Sequence, residues 1–167
     1  GDIAGRIEVC GLFPASALFD LVSPSVTEAM AQQIAAAGAA FYTTLTYDGI
    51  ASWQPEHDVD RSMREAFNKH QSTNKGFGPA AGADATNVLA TAFDVVGYEV
   101  VRGKSAWILD AGWQELRAET DRGWAAAVRE IGDVPSEDVD DWAEHRNGSS
   151  DAVSIVGHED LFAAPAR

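Results

Sequence analysis

The sequence predicts an α/β domain, and three observations lead there. A short apolar strand pattern at residues 6–15 runs into a helix with clear start and stop signals, 23–38. A second strand pattern, 39–47, follows that helix at once. Strand–helix–strand in this order makes a βαβ unit, so the two strands should pair in parallel, residues 7–13 against 40–46. The rest of the chain keeps alternating between helical and strand periodicities.

The first strand, RIEVCGLFPA, is apolar, short and closed by Pro14. In the helix that follows, Ser23 suits the N-cap, Pro24 the first helical position and Gly38 the stop, while Val26, Met30, Ile34 and Ala37 recur at helical spacing. AAFYTTLTY is rich in β-branched and aromatic residues, and Asp48-Gly49 signals a turn that should end it. A second helix, 58–70, places Met63 and Phe67 on one face. After a polar, glycine-containing loop, Asp84 should cap a third helix with Val88, Leu89, Ala92, Phe93 and Val96 inward and Gly97 as its stop. YEVVR, 98–102, is a third strand, and SAWIL, 105–109, extends it or returns as a short edge strand. Two helices follow, 111–131 with Trp113, Leu116, Trp124, Val128 and Ile131, and about 135–146 with Trp142. AVSIV, 152–156, reads as a last strand, with GHEDLFAAP as a tail.

The 167 residues suffice for one domain with a full core, so 1–167 reads as a single unit. A net charge of −14 leaves no cationic patch for phosphate backbones, which argues against nucleic-acid binding. No apolar run approaches the roughly 20 residues that span a bilayer, and no signal peptide is visible. The lone cysteine, Cys10, has no partner for an internal disulfide, which favours a reducing compartment and a cytoplasmic location. The first residue is Gly1; a processed start, a cloning remnant and a truncated reading frame all begin a chain this way.

Several motifs fail on their chemistry. Gly76-Phe-Gly-Pro-Ala-Ala-Gly82 superficially suggests a dinucleotide fingerprint, but polar residues rather than a strand precede it. His57, His70, His145 and His158 show no metal-ligand spacing, so no metal site is expected. Ser16 lacks the glycine-flanked elbow of a hydrolase nucleophile.

The segments FPASALFDLVS (13–23), TYDGIASWQP (46–55), FNKHQSTNKGFGPAAG (67–82), GYEVVRGKSAWIL (97–109) and GHEDLFAAP (157–165), in this order, carry a resemblance. Together they are similar to one bacterial branch of class I S-adenosylmethionine-dependent methyltransferases of unassigned substrate, over residues 12 to 165. The resemblance covers the C-terminal half of that Rossmann-like sheet, its fourth strand to its seventh. It implies a helical insertion and a last strand that enters the sheet antiparallel. The acidic and glycine-rich turns that cradle the cofactor are missing from this sequence, and on this resemblance they belong to an N-terminal half upstream of Gly1.

The resemblance further implies that Ala15, Ser16, Ala17, Leu18 and Phe19 flank S-adenosylmethionine, although the same residues also fit a plain strand-to-helix turn capped by Ser16. Asp20 either orients the methyl acceptor or is simply a solvated carboxylate, the second reading being preferred. Tyr47 and Asp48 end the second strand on the ligand side, or else pack at the sheet edge and serve a turn. His70, Gln71, Lys75 and Phe77 either face the methyl acceptor from a closing loop or merely belong to a chain reversal. The expected activity is methyl transfer to a small molecule or protein side chain, achieved by alignment rather than acid–base chemistry and requiring the N-terminal half. The alternative is a non-catalytic interaction module derived from such an enzyme. Cofactor binding by this chain alone should be weak or absent. Its first strand should be an open edge, covered by the N-terminal half, by a second copy in a homodimer, or by a terminal segment.

Overall fold

The computed structural model describes residues 11–166. Five strands and five helices make an α/β fold around one mixed, curled sheet among those residues. In chain order these are β1 Leu12–Ser16, α1 Pro24–Ala36, β2 Ala40–Gln54, α2 Asp60–Gln71, α3 Ala85–Val95, β3 Tyr98–Lys104, β4 Trp107–Leu109, α4 Gln114–Ile131, α5 Ser136–Gly148 and β5 Val153–Pro165. Residues 7–10 of the first expected strand lie outside the described residues.

The sheet runs β1-β2-β5-β3, with β4 pairing β5 beyond the end of β3. The expected parallel pair forms, with Leu12 opposite Ala40 and Ser16 opposite Thr44. The last strand is antiparallel to both β2 and β3 and lies between them. In β1, Gly11 C=O accepts from Ala40 N–H and Ala17 N–H donates to Thr44 C=O. Alternate residues therefore bond to β2, and Pro14 falls on the outer edge, where its missing N–H costs the ladder nothing.

Two expectations about strand ends need correction. Asp48-Gly49 does not end β2; the strand continues to Gln54, with register shifts between Thr43 and Thr46 and between Tyr47 and Ala51. Nor is GHEDLFAAP a tail, since β5 runs through it to Pro165. In both cases ladder hydrogen bonds to a neighbouring strand outweigh the local turn signal. The helix ends follow the sequence closely, with Pro24 in the first turn of α1 and Gly38 and Gly97 at positive φ just past α1 and α3. Ser23 and Asp84 make no side-chain cap, however; the Asp84 carboxylate accepts from the Asn87 amide instead.

The pleat of β5 sorts the core onto two faces of the sheet. Leu161 and Ala163 face α1 and α3 in a cluster with Phe19, Phe41, Leu89 and Phe93. Val156, an odd number of residues from Leu161, faces α2, α4 and α5 in a second cluster with Tyr47, Trp53, Trp124, Val139 and Trp142. The second face is covered only along the Val153–His158 half of β5. Farther along, Pro14, Tyr42, Phe162 and Val101 stand in register across four strands and remain exposed, Phe162 by 41% and Val101 by 66%.

Candidate functional site

β1 and β2 are parallel, so their carboxyl ends open on the same side, where loops of such sheets gather ligands. A cavity of about 380 Å³ lies there, within the size range of small-molecule sites. Ala17 and Asp20 border it from the segment after β1, and Leu45 and Tyr47 from the bulged part of β2. Phe67, His70 and Gln71 of α2 and Thr120, Gly123, Trp124 and Ala127 of α4 close it, with Trp107, Val156 and His158 from the sheet. A groove of similar size between α1 and α3 contains no unpartnered buried polar side chain among its lining residues.

Two non-glycine residues on the cavity wall have left-handed backbone, Ala17 at φ 50° and Leu45 at φ 56°. Each such conformation costs about 1–3 kcal/mol and persists only when surrounding contacts impose it. Here Ala17 N–H is held by Thr44 C=O at 3.1 Å and Leu45 N–H by Asp160 Oδ1 at 3.2 Å. Asp160 also accepts from Ser105 Oγ at 2.6 Å, which anchors the bulge to the strand beside it.

The sequence candidates divide. Ala17, Tyr47, His70 and Gln71 line the cavity. Tyr47 is buried, its hydroxyl donates to Asn68 Oδ1 at 2.8 Å, and burial, aided by Asp48, pushes its phenol upward. His70 Nε2 lies 3.0 Å from Glu130 Oε2, and Lys75 Nζ sits at the imidazole nitrogens, 3.2 and 3.3 Å away, so Lys75 reaches the cavity only through His70. Phe77 and Leu18 are exposed and outside the lining. Ser16 Oγ accepts from Thr44 Oγ1 at 3.0 Å, and Ala15 packs against the first core cluster. Phe19 belongs to that core, edge-on to Phe41 with ring centroids 5.4 Å apart.

Asp48 faces away from the cavity. Its carboxylate accepts from Ile50 N–H at 3.0 Å and Lys104 at 3.1 Å and packs over Gly157, where a Cβ would collide with it. Gly157→Ala is therefore expected to destabilise the fold by about 1–3 kcal/mol, read as a lowered urea midpoint at unchanged slope. An unchanged midpoint would show that the Asp48 bulge has room to move.

Asp20, read from sequence as solvated, is buried to 8% exposure, and its Oδ1 has no hydrogen-bond partner. Burial raises its pKa, opposed only by its own backbone amide. His158 is equally buried, its Nδ1 has no partner, and desolvation lowers its pKa, with Asp48, the Val156 backbone and Asp160 acting the other way. A raised carboxylate pKa means that the folded state is penalised at pH values above the unfolded pKa and relieved as pH falls through the raised one. Asp20→Asn should consequently stabilise the fold by about 1 kcal/mol at neutral pH, a Tm gain of roughly 2–4 °C that shrinks on acidification. A lower Tm would mean that Asp20 has a stabilising partner.

Sequence reasoning missed Phe67, Trp107, Trp124 and His158 as cavity walls. Aromatic residues at helical spacing look the same whether they fill a core or border a cavity, and Phe67 and Trp124 do both, stacked with centroids 3.7 Å apart. Among the described residues no group of three or more His, Cys, Asp or Glu could hold a metal ion, and no helix is long and apolar enough to cross a membrane. Neither a family model nor a curated protein sequence matches the chain.

Proposed function

We propose that this chain is the C-terminal half of a class I methyltransferase domain and takes part in S-adenosylmethionine-dependent methyl transfer to a small molecule or protein side chain. The observation that carries the proposal is the strand order β1-β2-β5-β3, with a parallel first pair and the last strand inserted antiparallel. The resemblance implies that arrangement, and chance assembly of five strands has many others. The exposed row Pro14, Tyr42, Phe162 and Val101 supports the same reading, since a sheet face this apolar suits a covering layer.

In this reading the cavity after β1 and β2 is where acceptor and cofactor meet. Ala17 with its turn forms one wall for S-adenosylmethionine. Tyr47, His70 and Gln71 border the acceptor side. The sulfonium supplies the activated methyl group, and the residues of this chain align the acceptor and exclude water.

Calorimetry tests the proposal. The glycine-rich and acidic contacts missing from this chain are each worth about 0.5–1.5 kcal/mol, and losing several weakens binding by orders of magnitude. The 167-residue chain should show no saturable S-adenosylmethionine binding up to about 1 mM, where the standard free energy is only about −4 kcal/mol. The chain joined to the N-terminal half that this reading requires should bind. Tight binding by the chain alone would overturn the proposal. A joined protein that folds but does not bind would favour the non-catalytic module.

A further inference from the structure

Two residues of the cavity lining, Asp20 and His158, each carry a buried polar atom with no hydrogen-bond partner, Oδ1 and Nδ1. Buried polar groups in folded proteins are hydrogen-bonded to protein, water or ligand with few exceptions, so an unmatched carboxylate oxygen on a cavity-lining residue calls for a partner. The basic side chains at the cavity wall and behind it are engaged elsewhere: His70 pairs with Glu130, and Lys75 lies against His70. Among the described residues no hydrogen bond or ion pair links either of them to Asp20. Much of the cavity lining is aromatic or apolar, with Leu45, Tyr47, Phe67, Trp107, Trp124 and Val156.

We infer that this cavity binds a small organic amine, with its protonated nitrogen drawn to the Asp20 carboxylate and its apolar body against Trp107, Phe67 and Trp124. A neutral hydroxyl donor would satisfy the oxygen but leave the charge uncompensated in a desolvated place, whereas an ammonium satisfies both. Aromatic walls add attraction for a cation near their rings. The chain's charge of −14 raises the local concentration of cations and repels carboxylate or phosphate ligands. The cavity's volume of about 380 Å³ accommodates a molecule with one ring and a short amine arm. His158 Nδ1 offers a second polar contact for such a ligand. Assigning the amine as the methyl acceptor rests on the methyltransferase proposal, while its binding to the cavity does not.

Benzylamine and its neutral counterpart benzyl alcohol are matched probes, titrated into the 167-residue chain and followed by saturation-transfer NMR and tryptophan fluorescence. The amine should bind at least tenfold tighter than the alcohol. Asp20→Asn should abolish that preference without loss of stability, so unfolding does not explain the effect. Trp107→Leu, on the short β4 strand, should weaken the amine severalfold while Asp20 stays intact. Equal binding of the two probes, a preference that survives Asp20→Asn, or amine binding indifferent to Trp107→Leu would each overturn the inference. Because this titration omits S-adenosylmethionine, its failure is distinct from failure of the cofactor calorimetry.

Discussion

Trp142→Ala is expected to cost about 3–5 kcal/mol, enough to bring a domain of ordinary stability close to unfolding. Trp142 is fully buried, lies edge-on to Trp53 with centroids 5.3 Å apart, and donates from Nε1 to Asp60 Oδ1 at 2.7 Å. The Arg146 guanidinium lies 5.7 Å from the same indole ring and 3.6 Å from Asp60. Truncation therefore opens a cavity between α5 and β2 and also strips a hydrogen bond from the carboxylate that compensates a buried arginine. Asp121 adds to the polar part of this cluster, accepting from Ser154 Oγ at 3.0 Å. In urea, with a slope of about 2 kcal/mol per molar, the midpoint should fall by roughly 1.5–2.5 M. Trp142→Phe keeps most of the apolar volume and should lose less than half as much. A midpoint shift below about 0.5 M for the alanine variant would show that the second cluster contributes little to folding.

That cluster was partly legible in the sequence because Trp124 and Val128 recur with helical period on one segment and Trp142 falls on the next. The βαβ start was legible because Pro24 and Gly38 mark the ends of α1 so plainly. The continuation of β2 past Asp48-Gly49 was not. A turn signal records what the local chain tolerates, and here Lys104, Ile50 N–H and the bare Cα of Gly157 accommodate Asp48 within a bulge. Leu45 at positive φ carries no local signal, because its conformation is imposed by Asp160, 115 residues away in sequence.

The site was legible only where strand ends marked it. Tyr47, placed at the end of a strand pattern, and His70 and Gln71, placed just before the glycine-rich loop, meet in the cavity. Asp20 shows why the remainder was hidden. In sequence a lone aspartate after a strand resembles any solvated carboxylate, and its burial shows only in the folded chain. Phe77 errs in the other direction, an aromatic residue between two glycines that stays exposed in its loop.

The central claim is that the β1 edge and the bare face of the sheet are interior surfaces of a larger sheet. Pro14 removes one donor from the outer edge of β1, so a partner strand would bond on either side of it. Hydroxyl-radical footprinting reads this surface directly, through oxidation of Tyr42 and Phe162, exposed by 38% and 41% in the chain alone. Both side chains should oxidise readily in the 167-residue chain and become protected at least fivefold when it is joined to the N-terminal half that the proposal requires, while Phe77 stays reactive in both. Equal oxidation of Tyr42 and Phe162 in the two folded proteins would contradict the claim.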